Sequence, residues 1–490
     1  MAAAEPPEIH PPGVVNAASQ RPAAAGGAVS RGSLISIEGE RFGNEPKMAL
    51  ESGGRVMPLT VLRADTEHIQ AWIPQDAPLG KASVTVSAGG ITSAPQPLTI
   101  LKAAPGLFSA TGEGWGPARS ENSPLHSVAP GGQLTLAATG VAPSDAPEVY
   151  VGNVPARVLS IHAAKFPEYT TAIDIQIPPE APEGCFVPVF ARVPGAPVSN
   201  TVSTSIHRDG GACESTDDPI GGVAPGNTGI LALLRTVKHP LDGPPRIQDE
   251  LTAGFFDIPA DQTKASPLLL LPPPGVCATW AGVLSPVTPA RDSIWAQMFA
   301  DIAGRGLDAG SAIAIRSQTV QLRVPMIIGL RGLYRLVLSE RHEGGPPRNR
   351  ISLDAGRLGI AGSGGLEVGP FAVSVATPTP FTVPNRPAIS LRRGSSYSVI
   401  WDAGNSQGTI LIVVRAVDPK GNAVGMTYCA ARQAAGQLTI PVSLLDHLPG
   451  GHGDLVLASW LAQPLSPAPA GVAQMIGLSA FVQSWELRIP

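Results

Sequence analysis

Charged and aromatic residues are both scarce in this sequence of 490 residues. Asp, Glu, Lys and Arg make up 15% of the chain, against roughly 25% in typical soluble domains. The 34 basic and 38 acidic residues give a net charge of −4. A nucleic-acid-binding surface needs a concentrated positive field, so this balance argues against a nucleic-acid partner.

Long apolar runs are also missing. No run reaches the roughly 20 apolar residues that a transmembrane helix needs, and the richest stretch, residues 267–287, is interrupted by three prolines at 272–274. The N-terminal sequence MAAAEPPEIHPPG has neither a basic segment nor an apolar core, so as written it is not a signal peptide. We expect no membrane span, although the low charge and the Thr-, Ser- and Gly-rich composition suit an exported protein.

Cysteine is rare, and no Cys-x-x-Cys spacing occurs, which argues against a zinc ribbon or a thioredoxin-type site. The four cysteines, Cys185, Cys213, Cys277 and Cys429, allow three disulfide pairings. We favour Cys185 with Cys213 and Cys277 with Cys429. The alternative is four buried free thiols that behave as small hydrophobic residues. Disulfides would indicate an oxidising compartment.

Glycine and proline, by contrast, are abundant, with 55 and 52 residues, which favours many short strands and turns. One strand-and-turn unit occurs twice, as IQAWIPQDAPLG at 69–80 and IDIQIPPEAPEG at 173–184. Each copy alternates as a half-buried strand does and then meets a proline, Pro74 or Pro178, that cannot donate to a neighbouring strand. The 104-residue offset predicts two β-domains in tandem.

The strand patterns around this repeat predict an all-β chain of several modules. We divide it into a first β-sandwich at 10–102, a second at 103–207, a linker at 208–226, a β-rich module at 227–383 and a C-terminal β-sandwich at 384–490. One short helix is predicted in the third module, at about 289–303, with Pro289 in its first turn. The apolar residues at helical spacing there are Ile294, Trp295, Met298, Phe299 and Ile302.

Several segments carry a family resemblance. The first module, with PGVVNAAS and RGSLISIEGERFG, and the second, with PGLFSATGEGWG and VYVGNVPARVL, resemble IPT/TIG-like (immunoglobulin-like) modules of secreted acidobacterial-type proteins. LDAGRLGIAGSGGLEVGPFAVSVATPTPFTVPN and TYCAARQAAGQLTIPVSLLDHLP resemble a segment of the same protein group. The resemblance implies tandem immunoglobulin-like β-sandwiches and secretion, and it brings no catalytic residues.

Motifs for catalysis or phosphate binding are not found. Residues 361–365, AGSGG, begin with Ala where a serine-hydrolase elbow needs Gly, and no helical pattern follows. The glycine-rich residues 112–116 lead into Pro117, so no phosphate loop is expected. The Asp-Ala-Gly triplets that begin at Asp308, Asp354 and Asp402 are interpreted as strand corners in which Asp bonds the backbone.

Three polar clusters have a binding interpretation and a plainer one. A metal site could form from Asp446, His447, His452 and Asp454, but a polar loop is favoured. Calcium could bind Asp209, Glu214, Asp217 and Asp218, but a solvated hinge is favoured. An anionic polymer could contact Arg331, Arg335, Arg341, Arg348 and Arg350, but a solvated β-hairpin is favoured.

Tryptophan gives one candidate ligand contact. Trp72 and Trp401 lie in strand patterns and are predicted to fill cores. Trp115, in a glycine-rich loop, is predicted to be exposed, and exposed large apolar groups tend to mark contact sites. The alternative is that it folds back on its own domain.

We therefore predict a non-enzymatic extracellular or cell-surface protein that serves in binding, adhesion or spacing, with no catalytic residue, cofactor or metal site. Its partner would be a protein or a glycan at a cell surface, with neither nucleic acid nor a membrane span. One alternative is a carbohydrate-binding accessory protein. Another is an enzyme whose site is assembled where the second and third modules meet, since catalytic groups come together in space and not in sequence order.

Overall fold

A computed structural model describes most of the chain. The residues outside the description are 1–4, 24–27, 44, 113, 120–125, 165–168, 214–225, 259–270, 282–304, 343–350, 355, 385–386, 388–389, 403–407, 419–422 and 447. The chain forms two compact units, one of residues 1–214 with 279–282 and the other of 215–278 with 283–490. The chain is all-β, with tandem immunoglobulin-like β-sandwiches.

The first sandwich occupies residues 8–101. Its strands are β1 (Glu8–Asn16), β2 (Val29–Ser30), β3 (Leu34–Glu40), β4 (Lys47–Ser52), β5 (Arg55–Ala64), β6 (His68–Trp72), β7 (Gly80–Ala88), β8 (Ile91–Thr92) and β9 (Gln96–Leu101). One layer has the order β1-β3-β6-β5 and the other β4-β7-β9-β2, with β5 also pairing with β4. This A-B-E-D and C-F-G arrangement is the immunoglobulin topology.

Strand β6 shows why the sequence folds this way. Ile69, Ala71 and Ile73 point into the core and have at most 1% of their surface exposed. The residues between them point outward, as the twofold periodicity of a strand requires. Pro74 directly follows and ends the pairing, as expected from its missing N–H.

The second sandwich repeats the arrangement. Its strands are β10 (Gly106–Leu107), β11 (His126–Ser127), β12 (Gln133–Thr139), β13 (Glu148–Val151), β14 (Val154–Ala163), β15 (Thr171–Gln176), β16 (Gly184–Arg192), β17 (Val202–Ile206) and β18 (Gly211–Ala212). The order β10-β12-β15-β14-β13-β16-β17 matches β1-β3-β6-β5-β4-β7-β9 of the first sandwich, and β11 pairs with β18. The two repeated segments supply β6 and β15, which occupy the same place in their sheets.

The start of the segment predicted as a linker is attached to the second sandwich. Residues 211–212 pair with β11, and Cys213 forms a disulfide with Cys185. The rest of that segment, 214–225, lies outside the described residues.

The remaining strands belong to the second unit, except that residues 279–282, which include the end of the strand Cys277–Ala281, belong to the first. These are β19 (Gly226–His239), β20 (Arg246–Ile258), β21 (Cys277–Ala281), β22 (Arg305–Gly306), β23 (Ala312–Arg316), β24 (Gln321–Pro325), β25 (Leu333–His342), β26 (Arg357–Gly362), β27 (Phe371–Ala376), β28 (Tyr397–Ile400), β29 (Thr409–Val417), β30 (Ala423–Arg432), β31 (Gln437–Ile440), β32 (Gly451–Pro464) and β33 (Gln474–Ile489). The largest sheet has the order β21-β30-β29-β32-β33-β19-β20-β22, with β25 paired to β20.

A sheet of order β24-β23-β26-β27 shares an apolar core with β19, β20 and β25. Leu231, Phe255, Ile315, Tyr334 and Ile360 in this core have no more than 1% of their surface exposed. The largest sheet contains strands from both sides of position 383/384, because β19 pairs in parallel with β33, from the pair of Thr228 and Gln474 to that of His239 and Trp485. The division of the chain into modules at that position stays a prediction.

Helix is a minor component of the described chain. The helix predicted at about 289–303 lies outside the described residues, and the α-helix seen is the single turn α1 (Val442–Leu445), preceded by Pro441. None of the described helices has the length and apolar character that a membrane crossing demands.

Candidate functional site

The first and second sandwiches are joined by hydrogen bonds from side chains of one to the backbone of the other. Arg21 Nη1 and Nη2 donate to the carbonyl oxygens of Val198 and Ser199 at 2.7 and 3.3 Å. Burial lowers the pKa of Arg21 to about 10, which leaves the guanidinium charged at neutral pH. Because an arginine presents its donors in a fixed planar fork, these two bonds restrict the orientation of one sandwich on the other.

A second set of contacts lies where the chain passes from sandwich to sandwich. The N–H of Leu34 donates to Oγ1 of Thr139 at 2.7 Å, and the hydroxyl of Ser30 donates to the carbonyl of Gly140 at 3.1 Å. A Cβ at Gly140 would lie 2.2 Å from the carbonyl oxygen of Ala104 and 2.8 Å from Oγ of Ser33. A side chain at Gly140 would therefore have no room between Ala104, at the start of the second module, and Ser33 of the first sandwich.

The loop that carries Trp115 is fixed at this junction. The amide of Asn200 donates to the carbonyl of Gly114 at 2.8 Å, and Gln20 of the first sandwich donates to the carbonyl of Gly112 at 3.2 Å. A Cβ at Gly114 would meet the carbonyl oxygen of Ser19 at 2.5 Å. Trp115 itself is half-buried, and its role as a ligand contact stays a prediction.

The sequence interpretation of Trp72 was wrong. Trp401 is buried, with its indole N–H donating to the carbonyl of Gln433. Trp72, however, points away from the core of its sandwich, because it follows the inward-facing Ala71. Its ring centroid lies 5.2 Å from that of Tyr169 in the second sandwich, with 42° between the ring planes. The pair spans the junction, and Tyr169 keeps 46% of its surface exposed.

A polar network lies on the outward face of the second sandwich. Asp174 accepts hydrogen bonds from the hydroxyls of Ser160 and Thr135, and its Oδ2 lies 3.0 Å from Nε2 of His162. The hydroxyl bonds of Ser160 and Thr135, with a smaller effect from His162, lower the pKa of Asp174 below its ordinary value. Sequence reasoning missed this network, because its members come from three different strands.

This network does not have the geometry of a nucleophilic triad. A catalytic serine is hydrogen-bonded to the histidine that takes its proton. Here the hydroxyl of Ser160 and the ring of His162 both contact the same oxygen of Asp174. The Asp174 carboxylate thus contacts both the Ser160 hydroxyl and the His162 ring, and it does not orient the ring toward the hydroxyl.

The interior of the second unit contains a network of buried charges. Arg235 bonds both oxygens of Asp249, and its Nη1 donates to Asp354 at 3.0 Å. Glu250, also buried, accepts from Arg335 at 2.8 Å and from Thr252 at 2.7 Å. These charges are compensated within the fold, so they have a structural explanation without a ligand.

The predicted basic stretch is neutralised wherever the structure describes it. Arg331 contacts Glu367 at 2.7 Å, Arg335 contacts Glu250 and Arg341 lies 3.6 Å from Asp354. Residues 348 and 350 lie outside the described residues. Paired in this way, the three described arginines offer little excess positive charge to an anionic polymer.

The two polar clusters for which a loop and a hinge were favoured over a metal site are described only in part. Asp454 bonds Arg415 at 3.0 Å, and Asp446 accepts from the N–H of Gly394 at 3.1 Å. His447 and the acids at 214, 217 and 218 lie outside the described residues, while Asp209 is exposed. In the part of the chain that the structure describes, no group of three or more His, Cys, Asp or Glu residues could hold a metal ion.

The remaining sequence candidates are turns or corners. Ser363 lies in the connection between β26 and β27, with strands on both sides. Asp308 Oδ1 accepts from the N–H of Gly310 at 2.7 Å, which is the predicted corner. Asp354 instead bonds Arg235, and Asp402 accepts from Thr382 at 3.4 Å.

The cysteines form two disulfides, Cys185 with Cys213 and Cys277 with Cys429, which is the pairing favoured from the sequence. The first joins β16 to the segment after β18, and the second joins the neighbouring strands β21 and β30. No described cysteine is free.

Comparisons with known proteins give distant likenesses. No family model matches the chain, and no curated protein is similar to it. Among solved structures, domains A168–A170 of titin have 10% identity, with 74% of this chain and 94% of that chain covered and a TM-score of 0.15. SGBP-B of the Bacteroides ovatus mixed-linkage glucan utilization locus, in complex with a mixed-linkage heptasaccharide, has 9% identity, with 90% and 98% covered and a TM-score of 0.16.

A gamma-CGTase from alkalophilic Bacillus clarkii has 15% identity, with 44% of this chain covered and a TM-score of 0.16. The match spans 27% of that chain, so about a quarter of the enzyme's length is represented. TM-scores this low carry no argument about fold or function. The immunoglobulin-like assignment rests on the strand order and pairing of the sandwiches themselves.

Proposed function

We propose that this protein is a non-enzymatic binding and spacer protein that works outside the cytoplasm, at or near a cell surface. The observation that carries the proposal is the junction between the first two sandwiches. Arg21, Thr139 and Gly140 take part in contacts that hold one sandwich on the other. A spacer has to present a binding surface at a fixed position, and such a junction supplies that rigidity.

Two further features support the proposal. The disulfides are typical of proteins that fold in oxidising compartments. The polar networks around Asp174 and Asp249 are internally satisfied, so they have explanations that need no substrate. Recognition would then lie on loops and sheet faces of the sandwiches, where rigid scaffolds commonly place it.

The rigidity can be tested by measuring a distance between the first two sandwiches. Spin labels are attached through non-natural amino acids at Val56 and Glu180, which are both exposed. The distribution of the distance between the two labels is recorded by pulsed electron paramagnetic resonance. We expect one narrow distribution for the wild-type protein. The variant Arg21→Ala/Thr139→Val should broaden it, while Lys81→Ala, an exposed control, should not. A broad wild-type distribution would refute the spacer role.

A carbohydrate-binding accessory protein is the second candidate. It is favoured by the half-buried Trp115, whose loop is held in place by Asn200 and Gln20. An indole in a fixed loop can stack on the apolar face of a sugar ring. If Trp115 does so, Trp115→Ala should weaken retention on a polysaccharide column. Equal retention of the variant and the wild type would remove Trp115 from the site.

A further inference from the structure

We propose that the pair of Trp72 and Tyr169 is the centre of an oligosaccharide-binding surface on the first two sandwiches. The proposal rests on the binding function proposed above, and it assigns both a site and a class of ligand. Its starting point is the position of the pair. Strand β6 ends at Trp72, and strand β15 begins two residues after Tyr169, so the ring contact joins the ends of equivalent strands of the two sandwiches.

Both rings remain accessible. Tyr169 has 46% of its surface exposed, and Trp72 is partly exposed. On one flank of Trp72 lies Leu34, which is its partner on β3 and is buried. On the other flank lies Thr60, its partner on β5, which is exposed. Packing that served merely to close the junction would bury both rings, whereas here one side of the pair faces solvent.

The backbone at Tyr169 adds independent support. Its φ is +60°, in the left-handed region, where a bulky side chain is rare. Such a conformation persists only where the surroundings impose it, and strained residues cluster at ligand-binding sites. Tyr169 therefore contacts Trp72 from a backbone conformation that a tyrosine rarely adopts.

The repeat shows that the fold does not require an aromatic residue at this place. Trp72 in the first copy corresponds to Gln176 in the second, and Gln70 corresponds to Asp174. Both sandwiches nevertheless have the same strand order. The indole is thus a feature of one copy, and the position is free to serve recognition.

The side chains around the pair favour a carbohydrate. Gln70 lies on the same face two residues before Trp72, and Arg63 pairs with it across β5 and β6. An amide and a guanidinium group therefore lie on the strands beside Trp72. A sugar offers the complementary surface, with an apolar C–H face for a ring and hydroxyls for the polar groups.

The test uses the full-length chain. A glycan array identifies bound structures, and titration calorimetry then measures affinities for hexasaccharides of β-1,4-glucose, β-1,4-xylose, α-1,4-glucose and β-1,4-N-acetylglucosamine. We expect wild-type protein to bind at least one glycan of the array. Tyr169→Phe keeps the ring and should keep the affinity. Tyr169→Gly removes the ring while suiting the positive φ, so it should fold normally and lose at least tenfold in affinity.

Trp115→Ala serves as a comparison that separates this site from the loop at residues 111–116. We expect it to bind the same glycan as well as the wild type. Absence of binding by wild-type protein to every glycan on the array would overturn the proposal, and so would undiminished binding by Tyr169→Gly. In either case a narrow distance distribution between the labelled sandwiches would leave the spacer role standing, so the two failures are distinguishable.

Discussion

Arg235 and Asp249 lie directly opposite each other on the paired strands β19 and β20, and their side chains form a two-pronged ion pair. Nε and Nη2 donate to the two carboxylate oxygens at 2.6 and 2.8 Å. Asp249 also accepts from the hydroxyl of Ser339 at 2.8 Å and from the N–H of Leu353 at 3.1 Å. The side chain of Asp249 has no exposed surface, so these donors and the hydroxyl of Ser352 at 3.4 Å surround it in place of water.

Removing this carboxylate should destabilise the second unit strongly. Asp249→Ala leaves Arg235 buried without its main partner, and breaking a buried pair in this way costs about 3–5 kcal/mol. Urea denaturation would measure the loss of unfolding free energy, and hydrogen exchange of the amides in β19 and β20 would show where it falls. Asp354→Ala is the matched control, because that carboxylate also contacts Arg235 but is 70% exposed. We expect about 0–1 kcal/mol for it, and equal effects of the two variants would contradict the argument.

The two disulfides should differ in their contribution to stability. They link residues separated by 28 and 152 positions, respectively. Chain entropy in the unfolded state then gives about 3.5 kcal/mol for Cys185–Cys213 and about 5 kcal/mol for Cys277–Cys429. Paired Cys→Ala variants, compared by the shift of the unfolding transition of each unit, would test this order. A larger loss for the first disulfide would show that native-state effects outweigh loop length.

The sequence was sufficient to predict the structural features that depend on local residue patterns. The alternation in residues 69–80 and 173–184, with a proline at the end of each run, placed β6 and β15 in equivalent positions. The all-β class and the tandem sandwiches followed from this repeat and from the resemblance. The same alternation contained the signal that would have corrected Trp72: with Ile69 and Ala71 facing the core, the residue after them has to face outward.

What depends on distant pairing could not be predicted. The parallel contact of β19 with β33 joins segments more than two hundred residues apart, and no local pattern indicates it. The basic stretch likewise looked unpaired, because Glu250 and Glu367, the partners of Arg335 and Arg331, come from other strands and turns. The Asp174 network has the same origin, since Thr135 and Ser160 reach it from β12 and β14.

The Asp174 network should make the stability of the second sandwich depend on pH. Because hydrogen bonds lower the pKa of the folded carboxyl below that of the unfolded chain, the network stabilises the fold above the unfolded pKa of about 3.9. This stability is lost as the pH falls through the folded pKa.

Ser160→Ala removes the donor with the largest effect, so the pKa of Asp174 should rise toward its ordinary value. Carbon-detected NMR titration of labelled Asp would measure the change. Ser36→Ala, on the outward face of the first sandwich, is the control and should leave that pKa where it is. An unchanged pKa in Ser160→Ala would contradict this, because it would mean that the remaining donors alone keep the pKa of Asp174 low.

Gly140 should tolerate no side chain, because two separate costs combine there. Its φ is +69°, which costs an alanine about 1–2 kcal/mol, and a Cβ would also lie 2.2 Å from the carbonyl oxygen of Ala104. Gly131 has a similar φ of +79°, but nothing lies within 4 Å of the point that a Cβ would occupy there. Gly131→Ala therefore reports the conformational cost alone.

Thermal unfolding of both variants should show a clearly larger loss of stability for Gly140→Ala, since the backbone of Ala104 must move to admit the methyl group. The distance distribution between the labelled sandwiches should also be broader in this variant. Equal losses would mean that the tight packing of Gly140 against Ala104 and Ser33 adds nothing to the conformational cost.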